Sequence, residues 1–397
     1  MENIVDWHGD GALMARRQGV AAWGRPGVAA SQMRQLPCVL YTGEIFDSNV
    51  SALVPADPSL VPALWAFCAS DQFNVEVRKV DQSLGVKNGA MARIPFDEQK
   101  WTREAALRFP TGIAAPETRD PTQWIFGGPP QKSNAPLLVA VSRLLGYCWP
   151  GQGSDSLDSQ TDADGIVCIP AIRGERPAAD RLSDLLAAAW GTAWHPQALT
   201  DMLSSVGHAG SLEEWLRDAF FKQHCELFHH RPFIWQIWDG HRDGFSALVN
   251  YHKLDHETLK SLTWTYLGDW IRAQEAEAKA GKSGAGDKLA KAKVLQQRLA
   301  SILEGEAPLD VFVRWKAIEQ QPIGWEPDLN DGVRLNIRPF LTVPTVGAKG
   351  AGVLRWKPNI KWGVDRGKNP EGSPWGEDRD NDKHLTLAEK RKARGQK

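Results

Sequence analysis

The densest chemistry in this sequence is a run of cations interleaved with aromatic rings. Arg334, Arg338, Lys349, Arg355, Lys357, Lys361, Arg366 and Lys368 alternate with Phe340, Trp356 and Trp362, and Asp365 is the one acid among them. Such cations neutralise phosphates, and rings stack on bases or wedge between them. The same composition also suits a solvated loop wrapped on a core, and the stretch alone gives the two readings equal weight. From Arg334 onward there are 15 Lys and Arg against 7 Asp and Glu, although the whole chain has a net charge of −1. A basic end segment of this kind suits a polyanion.

Other clusters fit specific chemistries poorly. His224, Cys225, His229 and His230 lie close together, but His224 and His229 are five residues apart. A two-His zinc site on a helix needs four-residue spacing, so packed or capping histidines are the commoner outcome. Asp239, His241, Arg242 and Asp243 stand in one loop and could contact a ligand or a metal. Asp310 followed by Arg314-Trp315-Lys316 only faintly resembles a metal-nuclease pattern, because Arg314 stands where an acid is needed. Gly281-Lys282-Ser283 has the ending of a phosphate-binding loop, yet Ala276 occupies the place of its first glycine and no strand precedes it. No nucleophile elbow and no glycine-rich nucleotide loop after a strand is present. Gly127-Gly128-Pro129-Pro130 lacks the Asn or Asp that would offer a carbonyl to a flipped base.

These residues need elements to position them. At 397 residues the chain is long enough for two or three domains and a large core. Residues 1–57 read as β-rich and irregular, and Pro37–Tyr41 as a strand. A helix opens at Pro58 and runs through Cys68, and a second spans Gln72–Leu84. Met91–Phe96 reads as a returning strand, and 101–135 as a Pro/Gly-rich connection. Leu137, Leu138, Val141, Leu144 and Leu145 mark an amphipathic helix, and Gly151–Asp164 a flexible loop. Helices follow over Ala178–Trp190 and Pro196–Ser205, and a third starts at Ser211 with a capping box to Glu214. Phe233–Trp238 and Phe245–Tyr251 flank Gly turn signals and form a β-hairpin. Glu257–Ala278 and Asp287–Leu303 make a helical hairpin.

The totals narrow the class. No apolar run reaches the length of a membrane span, and the first residues lack a basic region followed by an apolar core. Five scattered cysteines argue for a reducing compartment rather than a disulfide framework. A cytoplasmic location without a membrane partner is therefore expected. Eighteen tryptophans should anchor cores or interfaces.

Several stretches together resemble one family. They are Trp23–Val28, Leu40–Asp47, Ala63–Cys68, Val80–Asn88, Ile94–Phe96, Asp120–Trp124, the hairpin with Val249–His252, Tyr266–Trp270 and Gly324–Asn336. They are similar, in order along nearly the whole chain, to the segment after the catalytic domain in large adenine-specific DNA methyltransferases. Those enzymes serve BREX- and DISARM-type phage defence and single-chain restriction–modification. Their catalytic domains carry a loop for S-adenosylmethionine and an Asn/Asp-Pro-Pro-aromatic motif, and this sequence has neither. The motif supplies the carbonyl and ring that hold an extruded adenine. The resemblance therefore implies a carboxy-terminal, target-recognising portion that does not methylate alone. S-adenosylmethionine would belong to a separate catalytic chain or domain, and no cofactor to this one.

The expected fold is α+β: a β-containing target-recognition part over residues 1–100, then a mainly helical body over 101–256 holding the hairpin. The helical hairpin would occupy 257–305, an irregular basic wrap 306–368 and a poorly ordered tail 369–397. Within that reading, double-stranded DNA and a methyltransferase catalytic portion are the partners. Arg25, Lys87 and Asn88 are candidates for base-side contacts, since Arg and Asn match guanine and adenine edges. Arg334, Arg338, Arg355, Lys357 and Lys361 are candidates for phosphates. Two rivals stand beside it: a metal nuclease built on Asp239, His241 and Asp243 or on the His224–His230 cluster, and a protein-interaction scaffold with no DNA affinity.

Overall fold

A strand of small residues, Gly27–Ser31 (β1), organises the first part of the chain. Both its edges are paired, since it runs between Cys38–Tyr41 (β2) and Val50–Leu53 (β3), antiparallel to each, and both its faces are buried against side chains. Val28 and Ala30 face one core, with Ala63, Phe67, Phe73, Val77 and Trp101, while Ala29 faces another with Tyr41 and Ala22. This alternation is the two-residue period of a strand. The computed structural model describes residues 19–44, 46, 49–113, 125–149, 152–172, 174–313, 316–331, 333–341 and 384–396. Contacts divide the chain into two compact units, His8–Arg119 and one that takes in Asp120–Lys397.

In the first unit the helices Val61–Cys68 (α1), Asp71–Val80 (α2), Asn88–Met91 (α3) and Glu98–Arg108 (α4) cover one side of the sheet core. Phe67 is the centre of an aromatic cluster, 5.6 Å from Phe73 and 5.1 Å from Trp101. Burying a ring of that size stabilises by roughly 1.5–3 kcal/mol. Two expectations fail here. Residues 101–108 are helix rather than connection, because Asp97 caps the Lys100 N–H at 3.0 Å and Trp101 and Ala105 face the core. The unit therefore runs past residue 100. Met91–Phe96 forms no strand; Ala90 and Met91 turn into the core as a short helix.

The second unit is a three-layer arrangement. Ile166–Cys168 (β4), Ser246–Asn250 (β6) and Ile234–Trp238 (β5) form an antiparallel sheet in that order. The hairpin pairs Ile234 with Asn250 and Trp238 with Ser246, as its turn signals imply. β4 pairs Ile166 with Val249. Every residue of β6 is buried because helices cover both faces. On one face Val167, Ile234 and Leu248 meet Pro136–Leu144 (α5), Ala178–Trp190 (α6), Pro196–Ser205 (α7), Leu212–Asp218 (α8) and Phe220–Leu227 (α9). The capping box joins Ser211 and Glu214 at the start of α8. On the other face Trp235, Ile237, Ala247 and Val249 meet His256–Ser261 (α10), the π-helical turn Leu262–Tyr266, Leu267–Lys279 (α11) and Ala285–Glu304 (α12).

The helical hairpin and the segment after it share that core rather than forming separate domains. Leu309, Val311, Val313, Trp325, Leu335, Ile337 and Phe340 all pack in it. The apolar residues of the described part of the expected basic wrap are thus interior, while Ala317–Gln320 stay exposed, and the segment holds the short helices Val333–Asn336 (α13) and Arg338–Leu341 (α14). Residues 342–383 lie outside the described residues. The expected tail contains a helix, Leu387–Ala393 (α15), whose Thr386–Glu389 capping box starts it and whose Lys390 is fully buried. Residues 152–164 are tied rather than flexible: the buried Arg143 binds Asp155 and Asp158, and Leu157 is interior.

Candidate nucleic-acid interface

Where β1 leaves the sheet, Gln32 holds a polar junction. Its Nε2 donates to Asn88 Oδ1 at 2.6 Å, and the buried Ser51 hydroxyl donates to the same oxygen at 2.6 Å. Asn88 therefore uses its carbonyl to lock its own segment to the ends of β1 and β3. A bidentate contact to adenine needs that oxygen as well as the amide nitrogen. The base-side role expected of Asn88 is thus reduced to its amino group. Lys87, one residue earlier, is exposed.

Two loops meet beside this junction. Residues 32–37 reverse the chain from β1 to β2, with Arg34 at φ 57° and Leu36 at φ 54°, both left-handed. Leu36 is driven into the core and anchors the turn. Residues 81–87 link α2 to α3. Asp81 Oδ1 accepts from Ser83 N at 2.9 Å, and its Oδ2 accepts from Lys87 N at 3.2 Å. The Ser83 hydroxyl and these N–H groups pull its carboxyl down to about 2. This turn ends α2 at Val80, four residues before the expected Leu84. Val86, fully buried, anchors the second loop as Leu36 anchors the first.

The loops are joined directly. Met33 and Gly85 pair as an antiparallel bridge, and Val86 N donates to Gln32 O at 2.8 Å. The Arg78 guanidinium donates to both Arg34 O and Ser83 O. An open depression between them is lined by Arg34, Gln35, Arg78, Gln82, Ser83 and Leu84. Sequence reasoning named Lys87 and Asn88 but missed Arg34, Gln35 and Gln82. The signal available was the Val80–Asn88 stretch; the partner loop is brought to it only by tertiary pairing.

The other candidates do not converge on this place. Arg25 is exposed and donates to Pro55 O at 3.1 Å. It precedes β1, whereas the loops come after it, so five strand residues spanning roughly 17 Å intervene. Arg338 contradicts its expected phosphate role: it is fully buried, with Nη2 2.7 Å from the His384 ring. Arg334 falls on α13, and Arg355, Lys357 and Lys361 lie outside the described residues.

The clusters offered for metal chemistry serve the fold. His224 is buried among Phe220, Phe228 and Phe233, and its Nε2 accepts from Phe233 N at 3.2 Å and Ile234 N at 3.1 Å. Asp239 is buried and closes the hairpin loop, accepting from His241 N and Phe245 N, each at 2.9 Å. Among the described residues, no group of three or more His, Cys, Asp or Glu is arranged to hold a metal ion. The hairpin loop makes a test of this structural role. A Cβ at Gly244 would sit 2.3 Å from Asp239 Oδ1, a group pinned by two backbone donors. Gly244→Ala is expected to destabilise by about 1–3 kcal/mol, read by chemical denaturation, with Gly286→Ala as a control because nothing lies near that position.

The described residues thus define an α+β protein whose first unit presents a basic, amide-rich two-loop face. No family model matches the sequence. Over 107 residues, 25% of the chain, it is 28% identical to the adenine-specific methyltransferase PglX of Lacticaseibacillus casei (strain Zhang). The match covers 9% of that protein, so the chain corresponds to a small share of its relative's length. Part of this chain is therefore similar to an adenine-specific methyltransferase. No helix among the described residues is long and apolar enough to cross a membrane.

Proposed function

We propose that this chain is a DNA-recognition portion of an adenine-specific, S-adenosylmethionine-dependent DNA methyltransferase of a phage-defence or restriction–modification system. Methyl transfer would belong to a catalytic portion lying outside this sequence, which also binds the cofactor. The observation that carries this reading is the partial similarity to an adenine-specific methyltransferase. The exposed cations of the first unit, Arg34, Lys79 and Lys87, favour a polyanionic partner. Arg25, Arg334, Arg355, Lys357 and Lys361 would add phosphate contacts.

Binding across a salt series tests it. The full chain, alone and with a methyltransferase catalytic chain, is titrated with fluorescent duplex DNA. The expected result is affinity that falls linearly on a log–log plot with salt, at a slope of about −0.9 for each phosphate neutralised. Absent binding, or binding indifferent to salt, with the catalytic chain present would count against the proposal.

A further inference from the structure

We propose that the joined loops Met33–Gln35 and Gln82–Leu84 form the element that reads base edges in the major groove of duplex DNA. Arg34 would pair with a guanine, Gln35 and Gln82 with adenines, and Leu84 would pack on a thymine methyl. The inference rests on the reading of the chain as a DNA-recognition portion and names the side chains that would carry its specificity.

The residue types are those the groove requires. Guanine offers two acceptors to a guanidinium, adenine a donor and an acceptor to an amide, and thymine a methyl to an apolar group. All of these side chains are exposed, Leu84 by 75%. None of the six residues is acidic, and the acids beside them are occupied. Asp81 accepts from Ser83 N and Lys87 N, and Glu76 pairs with Lys79 at 2.7 Å. Lys79 is balanced by Glu76 and Asp81 stays ionised, so the positive charge that meets approaching phosphates comes from Arg34, Arg78 and Lys87, which outweigh Asp81.

Base reading also demands side chains held in place before the partner arrives. The Met33–Gly85 bridge, the Val86-to-Gln32 hydrogen bond and the Arg78 clamp tie the two loops into one body. Leu36 and Val86 pin each loop to the core. Arg34 stands at a left-handed backbone position that glycine adopts without strain. Its guanidinium makes no hydrogen bond or ion pair among the described residues, so the strained position displays a side chain the fold does not use.

Selection from randomised duplex DNA by the full chain, followed by sequencing and anisotropy at fixed salt, tests the inference. The wild-type protein should enrich a defined motif. Gln35→Ala and Gln82→Ala should each relax one position and weaken binding roughly 5- to 100-fold with the salt slope unchanged. Arg34→Gly should relax one position, weaken binding and, with a cation lost, flatten the salt slope, without lowering the unfolding temperature, because glycine suits that backbone. Gln82→Glu, isosteric and exposed, should change one preferred adenine to cytosine, since a carboxylate accepts from the cytosine amino group. That switch is a change no merely structural role would produce. Variants that select the same motif with the same affinity as wild type overturn this inference and leave the DNA-recognition reading standing. Binding without any sequence preference also overturns it, and failure of the wild type to bind any duplex with the catalytic chain present removes both.

Discussion

Acidification from pH 6.5 toward pH 3 is expected to strip up to ~5 kcal/mol of stability from the second unit through one residue, His224. Burial holds its imidazole down to about 3, far below the ordinary histidine value. Two features of the surroundings give that number its meaning. Phe220 stacks on the ring at 5.6 Å, with Phe228 and Phe233 closing around it, so no water or acid solvates an imidazolium. Protonation would also turn Nε2 from an acceptor into a donor facing the N–H groups of Phe233 and Ile234. The folded state thus binds the neutral form, while the unfolded chain titrates near 6.5. Stability from this site is complete above pH 6.5 and declines as pH falls, by at most ~1.4 kcal/mol per unit. His252, also lowered by burial, acts in the same direction, so the informative quantity is a difference between proteins. His224→Gln keeps an oxygen able to accept from the two N–H groups and has no titratable ring. Urea denaturation of both proteins at pH 7, 5.5 and 4 should show the variant losing much less stability than the wild type. Parallel losses would sink the assignment.

Asp310→Ala is expected to destabilise the second unit by about 3–5 kcal/mol. Asp310 is fully buried and gathers the C-terminal segment onto the core. Its Oδ1 lies 2.6 Å from His384 Nδ1, its Oδ2 accepts from Leu385 N at 2.9 Å, and Lys390 Nζ stands 3.7 Å away. Burial pushes its carboxyl up, but the His384 hydrogen bond, the Leu385 N–H and Lys390 outweigh it and leave it below the ordinary value. Lys390 is itself fully buried, donating to Val311 O at 2.9 Å and Pro322 O at 2.8 Å. Alanine removes the negative charge and leaves the buried Lys390 ammonium with its two carbonyl acceptors but without the Asp310 counter-charge. Replacing both partners by apolar residues of similar volume tends to restore stability where removing one does not. Asp310→Leu with Lys390→Met should therefore recover most of the loss seen in Asp310→Ala. Guanidinium midpoints of the three proteins decide it; a double variant no better than the single one would show that the charge balance is not what matters.

Much of the architecture is legible in local signals. Ala178–Trp190 and Pro196–Ser205 are bounded by periodicity and by proline at the helix start. The capping pair Ser211 and Glu214 and the two apolar runs of the hairpin are equally plain. The elements that sequence reasoning missed depend on distant partners. Ile166–Cys168 is three residues long and becomes a strand only because β6 offers it a free edge. The interior placement of Leu309, Val311, Val313, Trp325, Leu335, Ile337 and Phe340 comes from the apolar faces of α11 and α12, which a Gly- and Pro-rich sequence does not advertise. The α15 helix has a legible Thr386–Glu389 capping box, hidden by the charge of its neighbours. The same division holds for the candidate interface. Lys87 and Asn88 stand out in their own segment, but Arg34 and Gln35 join them only through pairing across some fifty residues.

That dependence on distant partners bears on how the chain matures. During synthesis β4 emerges 79 to 83 residues ahead of its partners on β6, and Lys390 settles on Val311 79 residues behind it. Such long loops must be closed before their contacts repay the lost entropy. The second unit can therefore close its core only once α15 has been made, whereas the described strand and loop pairings of the first unit, β1 with β2 and β3 and Met33 with Gly85, close within Gly27–Gly85.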